Sequence, residues 1–356
     1  MTDHRQRKNR ETRNKRVQDY LHGGVSRRRF LELMAVGGTA LVAGCVPATE
    51  PGPTSTTPPA LEGDATAPPL VTTPGGPRSY RLPSDGGGWR PQGSEAADLP
   101  TGSNSVRIEG IGEFNFEASD VETLRPDIFE PGRSSLFDVL AHLDEKRDIR
   151  LEYHFSEEMN THVVDSIDGE SGWWHSAYYS GGWAEANSFR MDMYPYKNGM
   201  ELWLHRERDD RLTAIHDSFH AEVDRLASNG GRIIIPEVTI RSPSSNTLFR
   251  DVEVTPHDVR TDVLQPGVVT GLDAILSLAE QGELSRLKLT WYERIGTANP
   301  VQSYWLEQID QAEASGTCGF VYETGARGIG GNHIHVPSDV RVTVSPEYAL
   351  WFWICL

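Results

Sequence analysis

Long hydrophobic runs are missing from this 356-residue chain, and lysine is nearly so, standing only at Lys8, Lys15, Lys146, Lys197 and Lys288. A bilayer-spanning helix needs about 20 consecutive apolar residues, and nothing here reaches that length. Also missing are a Gly-rich phosphate loop, a nucleophile elbow and a Cys-x-x-Cys pair, so no phosphate cradle, serine-hydrolase turn or dithiol centre is offered. A basic surface is lacking too: 34 Lys and Arg face 51 Asp and Glu, for a net charge of −17. Such a surface repels phosphate backbones and anionic lipid, which excludes nucleic-acid binding. Carboxylates are so abundant that no pair stands out as a general acid and base.

The basic residues that are present crowd into the first 30 positions, ending at Arg27-Arg28-Arg29. A short apolar stretch follows, 30–44, interrupted by Glu32. Basic, then apolar, then small residues is the order of a secretory signal. Ser26-Arg27-Arg28-Arg29-Phe30-Leu31 resembles a twin-arginine export motif, with Arg27 and Arg28 as its pair. Leu41-Val42-Ala43-Gly44-Cys45 resembles a lipobox, which implies cleavage after Gly44 and a diacylglyceryl group on the Cys45 thiol. The expected product is a lipoprotein on the outer face of the cytoplasmic membrane. Removing 1–44 takes away ten Lys/Arg and four Asp/Glu, moving the net charge from −17 to −23. Cys318 and Cys355 then remain, either as a disulfide, which an oxidising compartment preserves, or as two buried thiols.

Residues 45–103 are rich in Pro, Thr, Gly, Ser and Ala and poor in large apolar side chains. That composition predicts a disordered tether. Beyond it the chain repeats itself. Ile128-Phe129-Glu130-Pro131-Gly132 aligns with Val263-Leu264-Gln265-Pro266-Gly267, and Ser135-Leu136-Phe137-Asp138 with Thr270-Gly271-Leu272-Asp273. Both of the latter read as capped helix starts, a hydroxyl followed three residues later by a carboxylate. Apolar faces follow at Leu136, Phe137, Leu140, Leu143 and at Leu272, Ile275, Leu276, Ala279. Alternating segments then predict strands, Ile149-Leu151-Tyr153 in one copy and Leu287-Leu289-Trp291 in the other. Each copy closes on an aromatic strand, 200–205 and 350–355. The expectation is an α+β protein of two tandem β-grasp-like domains, 104–206 and 232–356, each with one helix on a mixed sheet of four or five strands. An amphipathic linker helix within 207–231 joins them, with Leu212, Ile215, Phe219, Val223 and Leu226 on its stripe.

The first copy also carries Ile167-Asp168-Gly169, Gly172-Trp173-Trp174, Tyr178-Tyr179-Ser180-Gly181 and Asn198-Gly199 in order. In that order they resemble the DUF4430, or transcobalamin C-terminal-like, family over about 104–206. The second copy departs from the pattern, with Gln311 for the glycine and Cys318 for Trp174. The resemblance implies a β-grasp domain on a secreted or anchored protein, and a corrinoid as ligand in some members.

Three groups are candidates for chemistry. Trp173, Trp174, Tyr178, Tyr179 and Trp183 concentrate aromatic surface. Strand alternation sends Trp173 and Trp174 to opposite faces, one into the core and one exposed to stack on a ligand or a partner. Plain packing of core and edge is the alternative. His216, His220 and Asp224 lie at intervals of four on one side of the linker helix, a spacing suited either to a metal or to a solvated flank. His333 and His335 offer a second, looser metal pair or simply decorate a loop. The function expected is a non-catalytic module that binds a small ligand or another exported protein. An accessory subunit or cofactor chaperone for an exported redox complex is the second reading, and a metal-dependent hydrolase the third.

Overall fold

A computed structural model describes residues 77–80, 103–179, 188–292, 302–316, 318–329 and 336–355. The fold is α+β, built mostly of open sheets, with three α-helices among the described residues. The first half opens on the hairpin β2 (Ser103–Ile108) and β3 (Gly112–Glu117), followed by helix α1 (Leu136–Glu145). A second hairpin, β4 (Leu151–Ser156) and β5 (Thr161–Ile167), leads to β6 (Trp173–Tyr179) and β7 (Met200–Arg206). Strand order is β3-β2-β7-β6, and β7 returns parallel to β2 in the middle of the sheet.

Helix α2 (Asp209–Ser228) then leads to β8 (Ile233–Arg241) and β9 (Asn246–Val254), helix α3 (Gly271–Glu280), and the hairpin of β10 (Leu287–Tyr292) with β11 (Ser303–Ile309). A short β12 (Ala312–Glu313), β13 (Cys318–Gly325) and β14 (Tyr348–Cys355) complete the chain. The second sheet runs β9-β8-β14-β13, again with its last strand parallel to its first. The repeated sequence therefore produces a repeated topology. In both halves the expected single sheet is divided, because the hairpin after the helix forms its own ladder.

Local chemistry explains the recurrence. Asp138 accepts from the Ser135 amide at 2.6 Å, and Asp273 accepts from the Thr270 amide at 2.6 Å, so both helices start on a capping box. The apolar faces named above are all buried: Leu136, Phe137, Leu140, Leu143, Leu272 and Ile275 are 0% exposed. Burying each such side chain contributes roughly 1.5–3 kcal/mol. The Ile-Asp turns also match, with Asp168 and Asp310 both at φ 51°. Asp tolerates this left-handed conformation. Gly169 is left-handed as well, at φ 84°, whereas Gln311 is not, so the loss of glycine in the second copy carries no backbone strain.

The halves meet through equivalent residues. Phe129 bridges Leu264 in antiparallel fashion; the Glu130 amide donates to the Val263 carbonyl at 3.1 Å, and Gln265 donates to Ile128 at 2.8 Å. The aligned segments thus pair with each other about an approximate twofold axis, as in an isologous dimer interface. Val263, Leu264, Val336, Val342 and Val344 join the core of the first half there.

Two further features stand out. Inside the segment expected to be a disordered tether, β1 (Pro77–Tyr80) forms a strand on β10. An open strand edge supplies backbone hydrogen bonds that composition alone does not reveal. A disulfide joins Cys318 to Cys355, which face each other in the β13–β14 ladder.

Candidate functional site

The two adjacent tryptophans do leave β6 on opposite faces, but neither is exposed: Trp173 is 5% accessible and Trp174 7%. Trp173 enters the first core, and its indole N–H donates to the Glu170 carbonyl at 2.5 Å. Trp174 faces the other way, where α2 covers it with Ile215 and Phe219. The expected exposed aromatic at this position is therefore absent, because the linker helix closes the back of the sheet. Tyr178 and Tyr179 occupy the end of β6, opposite Glu201 and Met200 of β7. Cys45, Arg27, Arg28, Trp183, His333 and His335 lie outside the described residues.

Between β5, β6 and α2 a cleft of about 190 Å³ remains, walled by Thr161, Asp165, Trp174, Leu212, His216 and Phe219 among others. Sites for small molecules usually offer about 300–1,000 Å³. The cleft thus has room for a side chain or a few waters, not for a corrinoid. Arg190, on its floor, is committed elsewhere: it donates to the Met159 carbonyl at 2.9 Å, to the Phe219 carbonyl at 3.2 Å and to the Glu222 carboxylate, and lies 4.2 Å from the Phe219 ring centre. It fastens α2 to the first half. A larger hollow of about 420 Å³ beside β3 and the end of α1 is open and lined by Asn115, Glu117, Asp120, His142, Lys146 and Asp148.

His216 borders the cleft, and burial, with the nearby His220 charge, holds its pKa below the ordinary value. Asp224 is exposed two turns further along α2, about 12 Å in axial rise from His216. That span is too long for one ion to reach both ends. Among the described residues no three His, Cys, Asp or Glu gather closely enough to hold a metal, so the expected trio is not assembled.

What the fold does assemble is a pair of buried ionic nodes, one per half. In the first, Arg125 donates to Asp192 at 2.8 Å and to Asp127 at 2.9 and 2.8 Å. Asp192 also accepts from the Thr161 hydroxyl at 2.5 Å, the His162 amide at 3.0 Å and His162 Nδ1 at 3.1 Å. Burial opposes its charge, but these bonds and the Arg125 charge outweigh burial and hold its pKa below the carboxylate range. In the second, Arg260 donates to Asp339 at 2.8 Å and to Asp262 at 2.8 and 3.0 Å, and the Tyr304 amide reaches Asp339 at 2.9 Å. Lys197 of the first half reaches this node, donating to Ser303 at 3.1 Å. Burial, then the Arg260 charge, pushes its pKa down to about 7. The sequence signal for these nodes is the pair Arg125-Pro126-Asp127 and Arg260-Thr261-Asp262, just ahead of the aligned segments.

Around the first node an aromatic surface is exposed. His162 stacks on Phe137 with centroids 4.9 Å apart, and meets Tyr153 and Phe155 edge-on at 5.8 and 5.0 Å. The Arg125 guanidinium lies 5.6 Å from the Phe155 ring centre. Tyr153 and Phe155 are nevertheless 39% and 43% exposed, and Leu124, beside Arg125, is 40% exposed. Alternation along β4 placed Tyr153 in line with Leu151 without showing that the face ahead of it is uncovered.

Comparison with known proteins found no matching family, no matching curated protein and no matching solved structure.

Proposed function

We propose that this chain is an exported, lipid-anchored binding module that engages another exported protein through the aromatic surface of the β4–β5 hairpin. One observation carries this reading: Tyr153 and Phe155 stand exposed beside His162 and Arg125 of the first ionic node, and Leu124, next to Arg125 in the chain, is exposed as well. Of the four large apolar side chains most exposed among the described residues, only Leu248 lies elsewhere, on β9. Exposed aromatics on a preorganised support are the usual anchors of protein interfaces. A corrinoid has support only from the resemblance, and the 190 Å³ cleft is too small to hold one. Each half is read as a β-grasp-type domain, since a hairpin, a helix and a last strand parallel to the first follow in that order. The export motifs before Cys45 and the Cys318–Cys355 disulfide, a bond that persists in oxidising compartments, support placement outside the cytosol.

Two measurements in intact cells test this. Cys45→Ala should move the protein from the membrane to the soluble fraction. A photo-crosslinking residue at Phe155 should capture a discrete protein that the same residue at Leu248 does not. Retention of Cys45→Ala on the membrane defeats the anchor, and equal capture at both positions defeats the surface.

A further inference from the structure

The two post-helix hairpins are built alike. Each begins with a Leu–Ile pair, Leu151 opposite Ile167 and Leu287 opposite Ile309, and each has a register shift two residues on, after Glu152 and after Lys288. Tyr153 thus corresponds to Leu289, and Phe155 to Trp291. Even the ring contacts repeat: Arg260 lies 5.1 Å from the Trp291 ring centre, and Trp291 meets Tyr304 at 5.0 Å. The difference is at the outer edge. In the second half β10 is an inner strand, paired on one side with β11 and on the other with β1. The β1 ladder is antiparallel, setting Arg78 opposite Leu289, Ser79 opposite Lys288 and Tyr80 opposite Leu287. In the first half β4 pairs only with β5 among the described residues, and its four residues Glu152–Phe155 are all exposed.

We propose that the open edge of β4 is a docking site for one extended segment of a partner protein, added antiparallel as β1 is added to β10. This rests on the reading of the hairpin as the partner surface and specifies the partner's form. An unpaired edge presents a row of N–H and C=O groups that a second strand satisfies, while side-chain pockets set the choice of sequence. The chemistry of the occupant follows from the edge. Glu152, Glu157, Glu158 and Asp165 make the hairpin acidic against Arg150, and His154 is turned to Asp165 at 3.0 Å. At the position of Glu152 the occupied edge has Lys288. The open edge therefore suits a basic segment, and the Tyr153–Phe155 surface suits an aromatic within it. Pro77–Tyr80, continued by Arg81, has both properties and already fills the counterpart edge within the chain.

The test uses the full chain in detergent and a labelled synthetic peptide of residues 74–83, Pro-Gly-Gly-Pro-Arg-Ser-Tyr-Arg-Leu-Pro. Because β10 is already filled in cis, the peptide is left the other sheet edges, and substitutions on β4 and on β9 tell which of them it takes. Binding should weaken at least tenfold with Phe155→Glu or Tyr153→Glu and remain unchanged with Leu248→Glu. In strand addition only alternate amides of the added segment point to the edge. Of two peptides N-methylated on alternate residues, one should therefore lose binding and the other keep it. Equal binding of both methylated peptides, or unchanged binding to Phe155→Glu, overturns the proposal. So does self-association of the chain that Phe155→Glu abolishes while the peptide fails to bind, since the occupant is then a second copy. If crosslinking at Phe155 still captures a partner while the peptide does not bind, the edge proposal fails and the broader surface reading stands.

Discussion

The two halves of this protein share strand order, helix caps, turn conformations and an Arg–Asp–Asp node, yet they differ in what covers them. In the second half the hairpin edge is occupied by β1, Asp262 and Asp339 are sealed from solvent, and a disulfide ties β13 to β14. In the first half the hairpin edge has no added strand among the described residues, Asp127 is 62% exposed, and the sheet is covered from behind by α2. The frame recurs in both halves, and the differences lie in what covers each of them.

The comparison can be broken most forcefully at the nodes. Removing one member of a buried ion pair strands the other charge and costs about 3–5 kcal/mol. Arg260→Leu should fall in that range by urea denaturation, because both its carboxylates are buried. Arg125→Leu should cost less, since Asp127 can hydrate and the hydroxyl and imidazole of Thr161 and His162 still serve Asp192. Equal losses would show that the halves are not asymmetric in the sense argued above. Next comes the disulfide, which closes a separation of 37 residues in the second half alone. Cys318→Ser with Cys355→Ser should lower stability by about 2–4 kcal/mol. Amide exchange should quicken in β13 and β14 and leave β6 and β7 unchanged.

Two bases of the first half make stability depend on pH, one of them where it reaches the node of the second. His175 on β6 is fully buried, with neither ring nitrogen hydrogen-bonded among the described residues; burial, then the His205 charge, lowers its pKa to about 3. Between about pH 3 and 6.5 the unfolded chain binds the proton and the folded chain does not, so stability falls as pH falls through that window. Lys197 behaves likewise between about pH 7 and 10.5, where stability rises with pH. Each contributes a slope of up to ~1.4 kcal/mol per pH unit. His175→Phe should flatten the acid limb and Lys197→Met the alkaline one, as followed by denaturant midpoint against pH. If the slopes persist in these variants, other groups carry them. The smallest effect is expected on the exposed surface. Phe155→Ala should change stability by about 0.5 kcal/mol or less, while its counterpart Trp291→Ala, partly buried against the second core, should cost more than 1 kcal/mol.

Much of the frame could be read from the chain before any coordinates. The aligned Pro-Gly segments, the capping boxes at Ser135 and Thr270 and the apolar faces of α1 and α3 all stand where periodicity put them. The exposure of aromatics did not follow in the same way. Trp174 alternates away from the core as expected, but Phe219 and Ile215 arrive from 40 residues further on and cover it. Tyr153 shares a strand face with Leu151 and looks like core, yet it is 39% exposed. The metal spacing at His216, His220 and Asp224 was a helix repeat, and a helix repeat fixes a face without bringing its ends together.

By itself the sequence determined most of the helices and strands beyond the expected tether, where the helices are capped and that the pattern occurs twice, because these depend on neighbours a few residues apart. It also carried the Arg27-Arg28 and Cys45 motifs on which the proposed export and anchoring rest. Only the tertiary structure decided which aromatic faces were covered, that Arg125 and Arg260 would each close on an aspartate 67 or 79 residues away, and which hairpin edge stayed open. Such contacts bring together residues remote along the chain, and no local periodicity encodes what will be laid against a face.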